Sequence, residues 1–137
     1  MGRASRIRCG GKVPRRIKRG AGFAASRAMN KQKFYHLSEL EDERKQIPKL
    51  YLEFLRVPSM SAGIYLLSPG QTDPQSPHAE DELYYVLKGR ARMKVGSEDQ
   101  SLRAGDLVFV EAGVEHRFYQ ISEELLVLVF FAPAESG

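Results

Sequence analysis

Two histidines and one glutamate stand out in this sequence as side chains that could hold a metal ion. His78 and Glu82 lie four residues apart at the start of a strand-like run, and His116 begins a later run of the same kind. Two imidazoles and one carboxylate suit Fe(II), Mn, Ni, Co, Zn or Cu and leave coordination positions open for substrate or dioxygen. A regular strand would separate residues i and i+4 by about 13 Å, so we expect a bend or bulge between residues 79 and 81. On the alternative interpretation, both histidines are partly exposed loop residues.

Three further side chains are candidates for a substrate pocket because they follow these groups along the same strands. Tyr84 shares a strand face with Glu82, and it or a carboxylate could serve as a base that moves a proton. Phe118 shares a face with His116, and Gln120 lies two residues further on. Ordinary barrel packing is the alternative interpretation for Tyr84 and Phe118, and capping of a strand end is the alternative for Gln120.

The elements that must position these residues read as many short strands separated by turns. Turns roughly every 8–12 residues are typical of an all-β sandwich or barrel. A short helix is expected from Phe34 to Glu43, with Ser38 as its N-cap and Pro48 beyond its end. The predicted strands are Leu50–Val57, Ala62–Leu67, Glu82–Leu87, Arg90–Val95, a short strand from Leu102, Leu107–Val110, His116–Ile121 and Leu125–Ala132. This divides the chain into a helical lead-in at 34–48 and a barrel at 49–135.

Two segments of this chain resemble the two sequence motifs of the cupin superfamily. His78, Glu82 and Gly89 match the second half of the first motif, in which histidine is followed after three residues by glutamate and after six more by glycine. The segment from Gly105 to His116 resembles the second motif. The resemblance implies a small single-domain cupin: an all-β, antiparallel, jelly-roll-like barrel.

The match departs from the family pattern at three positions. Ser76 stands where the first motif has its first histidine, Glu111 replaces a proline, and Gln120 replaces the closing asparagine. The resemblance therefore supplies three metal ligands, His78, Glu82 and His116, rather than the usual four. A serine hydroxyl is a poor ligand for a borderline ion, so Gln75, Ser76 or water are the weaker candidates for the vacant position.

By resemblance, the protein would bind one divalent transition metal ion and act on a small organic molecule in the barrel, with dioxygenase-, isomerase- or lyase-like chemistry. The alternative is a non-catalytic small-ligand-binding or sensor cupin in which the metal is weakly bound or absent, and a metal-free dimerisation scaffold is a third possibility. Whether the protein is an enzyme stays open. Leu125–Phe131 has no polar alternation, which indicates that both of its faces are covered, so we expect a homodimer.

The charge of +4 is the average of two unlike parts. Residues 1–33 hold 11 Lys and Arg and no acidic residue, whereas residues 34–137 hold 10 basic and 17 acidic residues, a net charge of −7. We expect residues 1–30 to be a disordered basic extension. It could be an accessory tail upstream of a start at Met29, a targeting segment, or a polyanion-binding arm, and nucleic acid is not the partner we expect.

Two further features bear on location. The longest apolar run, Leu125–Pro133, is too short to span a bilayer, so no membrane partner is expected. The single cysteine, Cys9, excludes an intramolecular disulfide and a cysteine-based zinc cluster, which fits a reducing compartment. The sequence therefore favours a cytoplasmic protein.

Overall fold

The computed structural model of this protein describes residues 33–136, which form one helix and six antiparallel strands. The elements are α1 (Leu37–Lys45), β1 (Tyr51–Val57), β2 (Met60–Leu67), β3 (Asp81–Val95), β4 (Glu98–Arg103), β5 (Leu107–Val110) and β6 (His116–Ala132). The strands are ordered β1-β2-β6-β3-β4, and β5 also pairs with β3. The expected all-β antiparallel fold with a short N-terminal helix is confirmed. The basic extension at 1–30 lies outside the described residues, so its predicted disorder stays a prediction.

The apolar strand β2 is buried on both faces, because the sheet has a core on each side of it. Tyr65 and Leu67 point into the inner core of the barrel. Ile64 and Leu66 belong to an outer cluster that also includes Leu40 of α1. The helix therefore covers the outer face of β2. No helix among residues 33–136 is long and apolar enough to cross a membrane.

Strands β3 and β6 are each continuous where the sequence predicts two shorter strands. We expected a turn at Lys88-Gly89, but β3 runs through it with irregular register against β6 between Val86 and Arg92. Gly89 has φ of 99° and lies so close to β6 that a Cβ atom would stand 2.2 Å from the Glu124 carbonyl oxygen. A glycine at a β-bulge bends a strand without ending it, and this is why the predicted turn is wrong.

The helix also differs in detail from the prediction. It begins at Leu37, and the backbone carbonyl of His36 accepts the first bonds from the N–H groups of Glu39 and Leu40 at 3.0 and 3.1 Å. The predicted N-cap, Ser38, lies inside the first turn instead. The helix ends at Lys45, ahead of Pro48.

Two loops meet at one end of the barrel, where they bring the candidate residues together. The loop between β2 and β3 carries His78 near its end, and the loop between β5 and β6 leads into His116. The N–H of Gly113 donates to the His78 carbonyl at 2.7 Å. The N–H of Ala112 donates to Oδ1 of Asp81 at 2.9 Å. These bonds fix one loop against the other.

Candidate metal centre

The three predicted metal ligands lie together at this end of the barrel. One ligand atom from each of His78, Glu82 and His116 falls within 4.8 Å of the other two. Oε1 of Glu82 is 3.2 Å from Nε2 of His116 and 3.8 Å from Nε2 of His78. The chain bends at residues 79 and 80, as expected, which lets the first two side chains approach each other although they are four residues apart.

The orientation of the His116 ring is set by a backbone group. Its Nδ1 atom lies 2.9 Å from the carbonyl oxygen of Val114. Because a carbonyl oxygen only accepts hydrogen bonds, Nδ1 carries the proton and donates it. In the neutral ring, the lone pair on Nε2 is therefore turned toward Glu82, as a metal ligand requires.

The polar atoms that converge here lack hydrogen-bond partners. Within residues 33–136, both carboxylate oxygens of Glu82 and Nε2 of His116 are buried without one. Glu82 is 2% exposed and His116 is 5% exposed. An ionised carboxylate buried without a partner costs several kcal/mol. A divalent cation between Glu82 and His116 would balance the buried charge and give the facing atoms, Oε1 and Nε2, a common partner. Two imidazole nitrogens with one carboxylate oxygen are a donor set that such ions accept.

The electrostatics of His116 point the same way. Burial alone would lower the pKa of His116, but the Glu82 carboxylate and the Val114 carbonyl outweigh it and raise the pKa above the ordinary 6.5. The pocket therefore favours a positive charge at this position, which a proton supplies when no metal is bound.

The two weaker ligand candidates are placed differently. Ser76 is exposed. Gln75 lies in the site, where its Oε1 accepts from the Tyr84 hydroxyl at 2.9 Å and is 3.4 Å from Nε2 of His78. Its Nε2 donates to Oδ2 of Asp73 at 2.9 Å. Of these two, only Gln75 stands beside the three main candidates.

Tyr84 is fully buried and adjoins the site. Burial, and then the nearby Glu82 carboxylate, raise the pKa of Tyr84 well above its ordinary value. A hydroxyl of this kind stays neutral and donates a hydrogen bond, so the environment of Tyr84 suits a donor and not the base considered from the sequence.

Phe118 and Gln120, the two remaining candidates for the substrate pocket, occupy different environments. Phe118 is buried and packs edge-on against Tyr84, with ring centroids 5.1 Å apart, so it supports the site from the core. Gln120 is exposed, with φ of 47°. Near it β6 advances four residues, from Tyr119 to Glu123, while β3 advances two. The buried positions of β6 pass from His116 and Phe118 to Ile121, so the alternation of faces shifts by one residue at Gln120 and turns its side chain outward.

A cavity of about 120 Å³ opens beside the three candidate ligands. Its lining consists of Tyr51, Tyr65, Gln75, His78, Glu82, Val129, Phe131 and Glu135. A larger groove of about 540 Å³ lies along β4 and β5, but none of the three ligands lines it. The smaller cavity is therefore the one that chemistry at the candidate metal centre would use.

Sequence reasoning missed several groups around this cavity. Asp73, in the polar loop before β3, is buried and accepts from the Tyr65 hydroxyl at 2.6 Å and from the Phe118 N–H at 2.8 Å. Glu135, after the last strand, places Oε2 3.3 Å from Nδ1 of His78. Tyr51 lies opposite Tyr65 on the neighbouring strand. Strand alternation could have found the tyrosines, whereas nothing local marks the two carboxylates.

Comparison with known proteins gives matches over most of the folded region. An uncharacterized protein from Streptomyces coelicolor is 51% identical over 104 residues, which is 76% of this chain and 99% of the relative. A crystal structure of a protein from Thermus thermophilus is 28% identical, with a TM-score of 0.61, and the match covers 75% of this chain and 99% of that one. The DMSP lyase DddQ from Ruegeria pomeroyi is 26% identical, with a TM-score of 0.52, over 56% of this chain and 39% of that one.

The family model of the cupin domain matches residues 63–132, from strand β2 to the end of β6. That range holds both resembling motifs and all three candidate ligands, and solved cupins share the barrel. This chain therefore belongs to the cupin family.

Proposed function

We propose that this protein binds one divalent transition metal ion through His78, Glu82 and His116 and acts on a small organic molecule in the adjoining cavity. One observation carries the proposal. Nε2 of His116 and both oxygens of Glu82 are buried without hydrogen-bond partners and lie beside Nε2 of His78. When bound, the ion would act as a Lewis acid that polarises an oxygen of the substrate.

The residues around the cavity have separable roles in this proposal. The Glu82 carboxylate supplies the negative charge that retains a cation, and the Val114 carbonyl holds His116 in its ligating tautomer. The neutral Tyr84 hydroxyl donates to Oε1 of Gln75 and so fixes this amide beside His78. Asp73 fixes Gln75 in turn.

The cavity limits the size and character of the substrate. Its volume of about 120 Å³ is below the roughly 300–1,000 Å³ of typical ligand pockets. Aromatic and aliphatic side chains, namely Tyr51, Tyr65, Val129 and Phe131, form much of its wall. The substrate class that fits is a small organic molecule with one polar group for the metal and an apolar remainder.

Isomerase- or lyase-like proton chemistry is the reaction class that we favour. The likeness to a DMSP lyase supports it. Dioxygenase-like chemistry would consume dioxygen, so measurement of oxygen uptake with candidate substrates separates the two classes.

Metal analysis of the purified full-length protein tests the proposal. We expect one equivalent of metal per chain in the wild-type protein and almost none in His116→Ala. The matched control is His36→Ala, because His36 is an exposed histidine outside the site and its loss should leave the metal content unchanged. Absence of metal from the wild-type protein after reconstitution would overturn the proposal.

Non-catalytic binding of a small ligand is the second candidate function. The hydrogen bonds among Tyr65, Asp73, Gln75 and Tyr84 shape the cavity with protein groups alone. A sensor or binding cupin would therefore keep its affinity for the ligand in the presence of a chelator, whereas the first proposal predicts that a chelator abolishes turnover.

We also propose that the protein forms a homodimer through the outer face of β3 and β5. Leu107 and Phe109 are 62% and 60% exposed, and they lie opposite Tyr85 and Leu83, which are each 37% exposed. Four large apolar side chains on two paired strands form a contiguous patch of the kind that a second subunit buries.

A further inference from the structure

The segment that follows β6 is held against the barrel by its backbone. The N–H of Glu135 donates to Oγ of Ser61 at 2.9 Å, and its carbonyl accepts from Arg56 at 2.6 Å. The N–H of Ser136 donates to Oε2 of Glu80 at 3.1 Å. Because these bonds use backbone atoms of Glu135, its side chain is left to enter the cavity.

The Glu135 carboxylate lies near the Nδ1 atom of His78, whereas Glu82 lies near its Nε2 atom. Its Oε2 atom is 3.3 Å from Nδ1 of His78, and the side chain is 20% exposed. The opposite ring nitrogen, Nε2, faces Glu82 at 3.8 Å. One carboxylate therefore stands on each side of this imidazole.

Each histidine of the site has an acceptor near its Nδ1 atom: a hydrogen-bonded carbonyl for His116 and, at 3.3 Å, a carboxylate for His78. In His116, an acceptor at Nδ1, the Val114 carbonyl, turns the Nε2 lone pair toward Glu82. In His78, the group at Nδ1 is a carboxylate, which when ionised also only accepts. We propose that Glu135 is a positioning residue that holds the proton of His78 on Nδ1 and so presents Nε2 to the metal ion; this inference rests on the proposed function.

His78 needs such a partner because a competing acceptor lies at its other nitrogen. Oε1 of Gln75 is 3.4 Å from Nε2 and would favour the tautomer with the proton there, which cannot ligate a metal through that nitrogen. A hydrogen bond to an ionised acceptor is roughly twice as strong as one between neutral groups. When ionised, the Glu135 carboxylate attracts the ring proton to Nδ1 more strongly than the neutral amide of Gln75 attracts it to Nε2, so we expect the ligating tautomer to prevail.

Two measurements on the full-length protein test this role. The first is the ¹⁵N chemical shifts of the His78 ring in the metal-free protein, recorded at a pH where the ring is neutral. We expect the proton on Nδ1 in the wild-type protein, and a shift toward Nε2 in Glu135→Ala.

The second measurement is the affinity for Zn²⁺, determined by competition with a chelating dye. Loss of such a supporting carboxylate typically lowers metal affinity about 10–100-fold, and we expect this for Glu135→Ala. Glu135→Gln keeps an acceptor oxygen and should recover part of the loss. Glu98→Ala, which removes an exposed carboxylate on β4, is the matched control and should bind Zn²⁺ as the wild-type protein does.

The outcomes separate this inference from the proposed function. A wild-type His78 with its proton on Nε2, or a Glu135→Ala variant with unchanged tautomer and Zn²⁺ affinity, would overturn the role of Glu135 alone. If the wild-type protein binds no metal, the proposed function fails, and the tautomer measurement still decides whether Glu135 orients His78.

Discussion

At the scale of single residues, Glu82 places a buried carboxylate at the end of the barrel. It is a carboxylate with 2% exposure whose two oxygens find no hydrogen-bond donor among residues 33–136. Such a group destabilises a fold unless a cation accompanies it. The residue thus connects the stability of the protein to the proposed function, and the two can be measured separately.

Replacement of Glu82 by glutamine should have opposite effects on metal binding and on stability. Glu82→Gln removes a buried charge at nearly constant volume, so we expect the metal-free protein at about pH 9 to gain about 1–3 kcal/mol in the free energy of unfolding. The same change should abolish metal binding. Chemical denaturation and metal analysis check the two effects, and a destabilised metal-free variant would contradict this account of Glu82.

The stability of the metal-free protein should depend on pH in a definite direction. The pKa of His116 is raised by Glu82 and Val114 against the opposing effect of burial. The pKa of Glu135 is raised chiefly by burial. Because the folded state binds these protons more tightly than the unfolded state, the stabilisation is present below the unfolded pKa values and is lost as pH rises through the folded ones.

Denaturation of the metal-free protein between about pH 5 and 9 measures this dependence. We expect stability to fall as pH rises through the raised pKa of His116, and His116→Gln should flatten that part of the curve. Saturating metal should reverse the slope, since protons compete with the metal for the same nitrogen. If His116→Gln leaves the slope of unfolding free energy against pH unchanged, groups other than His116 determine the pH dependence.

The sequence was sufficient to single out the candidate ligands, because they lie in recognisable motifs; their role as ligands stays a prediction. His78, Glu82 and His116 were found from residue type, spacing and the cupin resemblance, and the structure brings them within 4.8 Å of one another. Asp73 and Glu135 were missed because their burial results from contacts with distant parts of the chain. Asp73, for example, accepts from the N–H of Phe118, 45 residues away.

At the scale of elements, the bulged strands β3 and β6 decide where the site forms. β3 carries Glu82 near its start, and His116 opens β6, so the bends in these two long strands shape the barrel around the cavity. The local sequence marked Gly89 as a glycine of the first cupin motif, but it did not show whether this glycine forms a turn or a bulge. A glycine with positive φ fits a turn and a bulge equally well, and only the pairing with β6 distinguishes them.

Alanine at Gly89 should therefore destabilise the fold more than alanine at an open glycine. Gly89→Ala combines backbone strain at φ of 99° with a Cβ atom 2.2 Å from the Glu124 carbonyl, and we expect a loss of more than about 2 kcal/mol. Gly70→Ala is the control, because Gly70 has φ of 80° but nothing within 4 Å of the added Cβ. Gly70→Ala should lower the free energy of unfolding by only about 1 kcal/mol. Equal destabilisation of the two variants in thermal unfolding would refute a close approach at Gly89.

At the scale of the whole molecule, the outer face of the barrel is covered on one part and open on another. Helix α1 packs on the side of β2, where Leu40, Ile64 and Leu66 share a cluster. The side of β3 and β5 is left with exposed Leu107 and Phe109. The homodimer expected from the apolar β6 thus stays a prediction, and this open face is its proposed location.

Charge placed on the open face should separate the subunits. We expect the double variant Leu107→Lys, Phe109→Lys to be a monomer by light scattering where the wild-type protein is a dimer, with its metal content unchanged. Val57→Lys, an exposed apolar position at the end of β1, is the control and should remain dimeric. A monomeric wild-type protein would contradict the prediction directly.

The central claim, a metal ion held by His78, Glu82 and His116, is tested most directly by a crystal structure of the protein reconstituted with Zn²⁺. Diffraction data collected at the zinc absorption edge locate the ion independently of the protein coordinates. We expect one anomalous peak at about 2.0–2.2 Å from Nε2 of each histidine and from a Glu82 oxygen. A peak at another site, or no peak in fully reconstituted crystals, would contradict it.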